Sequence, residues 1–467
     1  MQAPFDLIAD LDTPVSAFLK LAPLKPRYLL ESVEGGERVG RWSFLGFGET
    51  REVRLDAAGW HEGGQTTPAP VDAAGLKAAL RGALGRAFRP GPQPRGVPFP
   101  GGLVTAAGWD VIRWFERLPA EHRGRSLPTF LGMSTRSLLV FDHASRRAAV
   151  LHDGTEAERA AVRDTVRRLL AGGLPERPAG PFTLREPRPT LSEAAFSDVV
   201  DAIHAAIGRG DVYQLVASIG FDGGTDLPPF EVYRALRLLN PSPYMVYADW
   251  GDVTLVGSSP EALVRLAGRS ATLRPIAGTR PRGATHEADL AAERSLLEDP
   301  KEAAEHVMLV DLARNDLGRV AVGGTVEVRP YRTIERYSHV MHIVSGVEGR
   351  LRDDVDAFDL FEAAFPAGTV VGAPKVRAVA LLDALEPVSR GFYAGTVGYF
   401  GHDGGMDQAI AIRTLCFTPG QYQIQAGAGV VADSTAASEY AEIRAKSAAL
   451  YAALELAREA LDAGSFG

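Results

Sequence analysis

The chain has 467 residues, 46% of them apolar and 23% charged, with a formal net charge of −8; that length predicts two domains or two large lobes, and the charge argues against nucleic acid as a partner. Cys416 is the only cysteine, which excludes an internal disulfide and a cysteine-based zinc site. The acidic start MQAPFDLIADLD lacks the form of a signal peptide and no apolar run reaches the roughly 18 residues of a membrane span, so the expectation is a soluble, cytoplasmic protein.

Up to about Gly180, short strands alternate with connections such as GGQTTPAP and RPGPQPRGVPFPGG. AERAAVRDTVRRLLAGG predicts a helix stopped by glycine. It runs into AGGLPERPAGPFTLREPRPT, a proline-punctuated stretch that places a boundary between an N-terminal unit, 1–185, and a second unit, 190–460. Thr190 and Glu193 have the spacing of a capping box ahead of Phe196, Val199, Val200, Ile203 and Ile207 at helical intervals. VYQLVASIGF then predicts a strand, with Leu215, Ala217 and Ile219 on one face and Gln214 on the more polar one. YMVYADW, VTLVGSS and QYQIQAGAGVV extend a large sheet system separated by helices, so the fold class is mixed, α+β.

RPIAGTRPRG, Arg274 to Gly283, holds three arginines and predicts a stiff cationic loop able to face an anion, with Ala277 chemically inert at its centre. In EDPKEAAEHVMLVDLARNDLGRV, Asp299 is the expected helix N-cap, Pro300 suits the first turn and Glu302 completes a D-x-x-E box. Glu305 lies one turn on. RYSHVMHIVSGVEG puts His339 and His342 in a strand-like run, too few ligands for a zinc site. PAGTVVGAPK and QAGAGVVADS are glycine segments through which backbone N–H groups can approach an anion, and neither fits a P-loop. In SEYAEIRAKSAAL, Glu439, Glu442 and Lys446 share one helix face. Spacing leaves open a surface Glu442–Lys446 pair or carboxylates that hold a hard cation such as Mg²⁺.

In this order, LLESVEGGERVGRWSFLG, GDVYQLVAS, NPSPYMVY, GSSPEALVR, RPIAGTRPRG, the Glu305 helix, SHVMHIVSGVEG, FPAGTVVGAPKVRA, YAGTVGYF, AIRT, QAGAGVVADS and SEYAEIRAK resemble the chorismate-utilising enzymes, most closely the anthranilate synthase component I group. The resemblance implies two packed antiparallel sheets with helices outside and an active site in the cleft. It implies conversion of chorismate and ammonia to anthranilate and pyruvate, the committed step toward tryptophan. Glu305 and Glu442 match Mg²⁺-binding carboxylates, with Glu302 and Glu439 nearby. Lys446, Gly427, Ala428 and Gly429 match positions that hold substrate carboxylate. Arg413 and Tyr399 match a clamp on the enolpyruvyl carboxylate, and Gly278 and Thr279 flank the substrate. Thr369 lines the pocket, His342 matches the catalytic histidine, and Glu261 the acid for the departing hydroxyl.

Relatives that add water carry lysine where Gln214 stands, and aminodeoxychorismate synthases typically carry lysine where Ala277 stands, so the resemblance makes both positions discriminating. Leu30, Glu31 and Ser32, with Asn240, Pro241, Ser242, Pro243, Tyr244 and Met245, match a tryptophan feedback pocket. No amidotransferase motif is present in the chain, so a separate glutamine amidotransferase subunit, component II, is implied, in a heterotetramer. The alternatives are aminodeoxychorismate synthase component I, an aminating 2-amino-2-deoxyisochorismate synthase that stops before pyruvate loss, and a non-catalytic sensor of tryptophan or chorismate.

Overall fold

The computed structural model describes residues 4–32, 40–118, 127–178, 180–336 and 340–463; His339 lies outside them. Nearly all the strands join one large, continuous antiparallel sheet, and a separate three-stranded sheet is formed by Ile276–Pro281, Thr333–Arg336 and Val340–Val344. Side-chain alternation along the strands explains how the large sheet curls. Tyr28, Leu30, Val246 and Ala248 enter one core cluster, while their neighbours Leu29, Met245 and Tyr247 enter another. The first cluster contains strand and loop residues only, so there sheet packs on sheet. The second includes Phe196, Val200, Ile203, Phe230 and Leu454 from helices, which cover the outer face. No helix among the described residues is long and apolar enough to cross a membrane.

Two ladders cross the boundary expected between 185 and 190. Tyr28–Glu31 pairs with Met245–Ala248, and Gly102–Ala107 with Thr396–Gly401. The linker itself contributes Arg188 and Pro189, paired with Asp222 and Phe221. The helix predicted after it runs from Glu193 to Gly208, with Phe196, Val199, Val200 and Ile203 buried; each such side chain stabilises the fold by about 1.5–3 kcal/mol. Its cap is Ser192, whose hydroxyl accepts from Ala195 N at 3.2 Å. Thr190, expected in that role, instead accepts from Gly220 N at 3.0 Å and fastens the linker to the sheet.

RPIAGTRPRG is also corrected. Ile276–Pro281 is a strand, and its arginines are matched to protein carboxylates: Arg274 to Glu335, Arg280 to Asp299 and Glu302, Arg282 to Asp289. A strand with its cations paired internally is not a free anion loop.

The interior of the second unit is tied together by a buried cation. Arg390 is 2% exposed. Its Nε and Nη2 grip the two oxygens of Glu386 at 2.8 and 2.7 Å, Nη1 donates to Val370 O at 2.7 Å and Nη2 to Val216 O at 2.6 Å. Its guanidinium stacks 4.4 Å from the Trp109 ring. Glu386 also accepts from Ser218 N at 2.9 Å and Ser218 Oγ at 2.8 Å. Removing one partner of a buried pair leaves a charge stranded, at a cost of about 3–5 kcal/mol, whereas replacing both by apolar groups often recovers it. Arg390→Met is therefore expected to lower the urea unfolding midpoint sharply, and Arg390→Met with Glu386→Leu to restore much of it.

Candidate active site

The helix Pro300–Gly318 starts as expected, with the Asp299 carboxylate accepting from Lys301 N at 2.9 Å and Glu302 N at 3.2 Å. Glu302 does not complete the box; it accepts from Arg280 Nη1 at 3.0 Å. The buried stripe His306, Leu309, Val310, Ala313, Leu317 extends at helical spacing to Glu302 and Glu305, which brings both carboxylates to the inward face. Burial pushes the Glu305 carboxyl up, an amide bond from Gln214 Nε2 at 3.4 Å opposes this, and the Glu302 and Glu442 carboxylates push it up further. Glu442 comes from the helix Ala436–Asp462, where Lys446 Nζ bonds both Glu442 Oε1 at 2.7 Å and Gly427 O at 2.9 Å. Glu442 and Lys446 pair as their spacing allows, and the lysine also reaches the glycine strand.

Among the described residues no three His, Cys, Asp or Glu side chains close into a preformed metal cluster. Mg²⁺ asks for less, one or two carboxylates with its other positions left to water and substrate oxygens. Glu305, whose carboxyl the charge of Glu442 pushes up, and Glu442 would be a donor set of that kind.

Gly427, Ala428 and Gly429 lie within the strand Gln421–Val430, not in a loop beyond it, paired with Ser218, Ala217 and Val216 of the strand Gln214–Gly224. They are small because other groups lie across them. A Cβ on Gly429 would sit 2.5 Å from Gln214 Nε2, and one on Gly427 would sit 2.6 Å from the Tyr393 hydroxyl. Burial, the largest influence, pushes the Tyr393 phenol up to about 12, so it stays protonated as a donor. Tyr393 stands on the buried clamp, its N donating to Arg390 O at 3.0 Å.

Glu261 occupies the turn between the strands Thr254–Ser259 and Ala262–Ala267, 8% exposed. Burial raises its carboxyl from an ordinary 4.5 to about 8, against opposition from a Thr369 hydroxyl bond of 3.3 Å and from Arg413. It is a neutral acid at pH 7. Arg413 holds a left-handed backbone, φ 49°, and its carbonyl accepts from Ser258 N at 3.0 Å. Thr369 lies in the turn Gly368–Val370, whose last carbonyl is held by Arg390.

The three-stranded sheet supplies the remaining wall. Ala277, buried, pairs with Ile343, and the register then slips at Gly278, φ 68°, so that Thr279 faces His342. A side chain at Gly278 would be strained in that conformation and would meet Glu302 Oε2 at 2.9 Å. The bulge turns the Gly278 carbonyl to 2.9 Å from His342 Nδ1, with Thr279 Oγ1 at 3.1 Å. A proton on Nδ1 satisfies that carbonyl and leaves Nε2 as the basic nitrogen. Next to Glu305, His306 is fully buried with Nε2 2.6 Å from Ser345 Oγ, and burial lowers it to about 4.

Tyr399 is not with these groups. It faces the inter-sheet core, stacked on Phe99 at 4.4 Å, and lines a different cavity of about 370 Å³. The tyrosine at the glycine strand is Tyr393, six residues earlier in the same YAGTVGYF segment. The other cavity is walled by Leu30, Glu31, Ser32, Pro243, Tyr244 and Met245 together with Tyr399, Arg265 and Asp407. Asn240, Pro241 and Ser242 do not line it; Asn240 ends the helix Pro229–Leu239 and Ser242 is buried. Glu31 is gripped by Tyr233 and Arg237, each at 2.6 Å, and Ser32 Oγ is buried without a hydrogen-bond partner among the described residues. Burial raises Asp407 to about 6, opposed by Arg265 and by the Tyr244 hydroxyl.

The chorismate binding enzyme profile matches residues 25–452. "Anthranilate synthase component 1" of Thermus thermophilus is 42% identical over 462 residues, covering 97% of this chain and 98% of that protein. The crystal structure of anthranilate synthase component I from Streptococcus pneumoniae superposes with a TM-score of 0.77 at 32% identity, covering 96% of this chain and all of that one. MenF, the menaquinone-specific isochorismate synthase of Escherichia coli, shares the fold with a TM-score of 0.71 at 18% identity, over 96% of this chain and 92% of its own. With a profile match over most of its length and relatives of this similarity end to end, the chain belongs to the chorismate binding enzyme family.

Proposed function

We propose that the chain is the synthase subunit of an anthranilate synthase, joining ammonia to chorismate and releasing anthranilate, pyruvate and water. The observation that carries this reading is the pair of positions 214 and 277. Both lie at the site, and they hold an amide bonded to Glu305 and a buried methyl beside Gly278. Neither supplies the base that activates water nor the amine that captures the ring, so free ammonia is left as the nucleophile.

Lys446, Arg413, Tyr393 and the N–H groups around Gly427–Gly429 orient the substrate's two carboxylates. Glu305 and Glu442, with Glu302 and Glu439 beside them, would hold a Mg²⁺ whose contribution is to withdraw charge from the ring carboxylate. Ammonia adds at C2, both ring double bonds shift by one position, and the C4 oxygen leaves as water with the proton of Glu261. Nε2 of His342 then takes the C2 proton as the enolpyruvyl group departs as pyruvate and the ring becomes aromatic. Because ammonia is scarce at neutral pH, the natural source is a glutamine amidotransferase subunit, component II, in a heterotetramer.

We also propose that the second cavity takes tryptophan as a feedback inhibitor. The Ser32 hydroxyl, without a partner among the described residues, stands in a wall that mixes apolar side chains with Asp407 and Arg265, groups able to meet the charged ends of an amino acid. Pro260 and Ala262 line this cavity on either side of Glu261, so an occupant bears on the turn that carries the acid.

Incubation of the chain with chorismate, Mg²⁺ and ammonium should yield fluorescent anthranilate, and aminodeoxychorismate or an adduct retaining the enolpyruvyl group would overturn the assignment. In the same assay Glu305→Ala and Glu442→Ala should stay folded and lose Mg²⁺-dependent turnover; normal activity in either removes it from the metal set. As general acid, Glu261 works while protonated, so kcat/KM should fall as pH rises through about 8. Glu261→Gln should lose that limb and about 10²–10⁴-fold in rate. The same shift makes the folded state bind this proton more tightly than the unfolded chain does. The stability it contributes is full below 4.5 and is lost as pH rises through about 8. Ser32→Ala should raise the tryptophan concentration needed for half-inhibition while leaving uninhibited turnover in place; unchanged inhibition would count against the pocket.

A further inference from the structure

The carboxylate helix and the three-stranded sheet form facing walls of the site, and one buried hydrogen bond joins them. His306 and Ser345 are each 0% exposed, with His306 Nε2 and Ser345 Oγ 2.6 Å apart. His306 follows Glu305 in the chain, and Ser345 comes just after the strand Val340–Val344 that carries His342. Ser345 N donates to Pro275 O at 3.2 Å, at the entry to the strand of Ala277 and Gly278. Its Oγ accepts from Arg332 N at 2.9 Å, at the entry to the third strand, Thr333–Arg336. Ser345, through its backbone N–H and its hydroxyl, therefore gathers an end of every strand in this sheet, and His306 fastens that hydroxyl to the helix. The links from Arg280 to Asp299 and Glu302 at the helix start are 21–30% exposed and weakened by solvent.

We propose that His306 is a positioning residue which, through Ser345, sets the distance between the Glu305 carboxylate and the His342 imidazole. This rests on the roles given to those two groups above. Reacting groups on separate elements are sensitive to their spacing, and a displacement of about 1 Å costs on the order of 10²-fold in rate.

The test is steady-state kinetics of the full chain with chorismate, Mg²⁺ and ammonium, comparing His306→Leu, His306→Gln, Ser345→Ala and the double variant His306→Leu/Ser345→Ala. Leucine fills the space without a polar atom, and glutamine returns a nitrogen close to the position of Nε2. His306→Leu and Ser345→Ala should each lower kcat by about 10²-fold while KM for chorismate moves less than about threefold. The double variant should be no slower than the slower single one, because the His306–Ser345 bond is lost in both. His306→Gln should return to within about threefold of the parent chain. Since His342 serves the second step, the slow variants should also release a larger share of product still bearing the enolpyruvyl group. Parental kcat in Ser345→Ala would overturn the proposal, as would His306→Gln as slow as His306→Leu with thermal midpoints unchanged. If His306→Leu does not fold, Ser345→Ala, which removes a single oxygen, decides alone. A parent chain that makes no anthranilate would sink the functional assignment, whereas anthranilate formed at the parental rate by Ser345→Ala sinks only the positioning role.

Discussion

A guanidinium withdrawn from water must have its donors met, and Arg390 meets them with groups that frame the site. It binds the carbonyl of Val370, one residue past Thr369, and that of Val216, two residues past Gln214. Through Glu386 it holds Ser218, the partner of Gly427 across the strands. Through its own carbonyl it holds Tyr393. The turn under the acid, the amide at Glu305, the glycine strand and the phenol above it are thus referred to one buried ion pair. Such pairs contribute little net stability relative to apolar packing; here the pair specifies where four pieces of backbone lie.

Around that frame, environment divides the work among like groups. Glu261 is enclosed and shares its carboxyl with a threonine, and so it keeps its proton. Glu302 and Glu442 are partly open, and each is matched to a cation, Arg280 and Lys446. Glu305 lies between these conditions, buried enough to resent its charge and near enough to other carboxylates to resent it more. An enclosed carboxyl, two carboxyl groups paired with cations and one crowded by its like come from the same side chain in three settings.

Much of this was legible in the sequence. Asp299 caps its helix, Gln214 sits on the polar face of its strand, and the buried face of Glu193–Gly208 has the expected spacing. What escaped depends on partners distant in the chain. Thr190 looked like a cap until Gly220 claimed its hydroxyl. Gly427 and Gly429 read only as a segment open to an anion, yet their lack of side chains answers to Tyr393 and Gln214 lying across a regular strand. RPIAGTRPRG looked like an anion loop because the carboxylates that neutralise it lie up to 61 residues away. Tyr393 and Tyr399 bracket one short segment, and only the curl of the sheet decides that the first meets the glycine strand and the second the inter-sheet core.

The ladders that join residues 28–31 to 245–248 and 102–107 to 396–401 have a consequence for how such a chain can change. Cutting it at the proline-rich stretch would bare the main-chain N–H and C=O groups of two inner strands, turning paired backbone into open edges prone to aggregation. The front portion is therefore no detachable accessory. The cavity walled by both portions can therefore be altered by changing side chains along the shared strands, and not by shedding the segment that carries them.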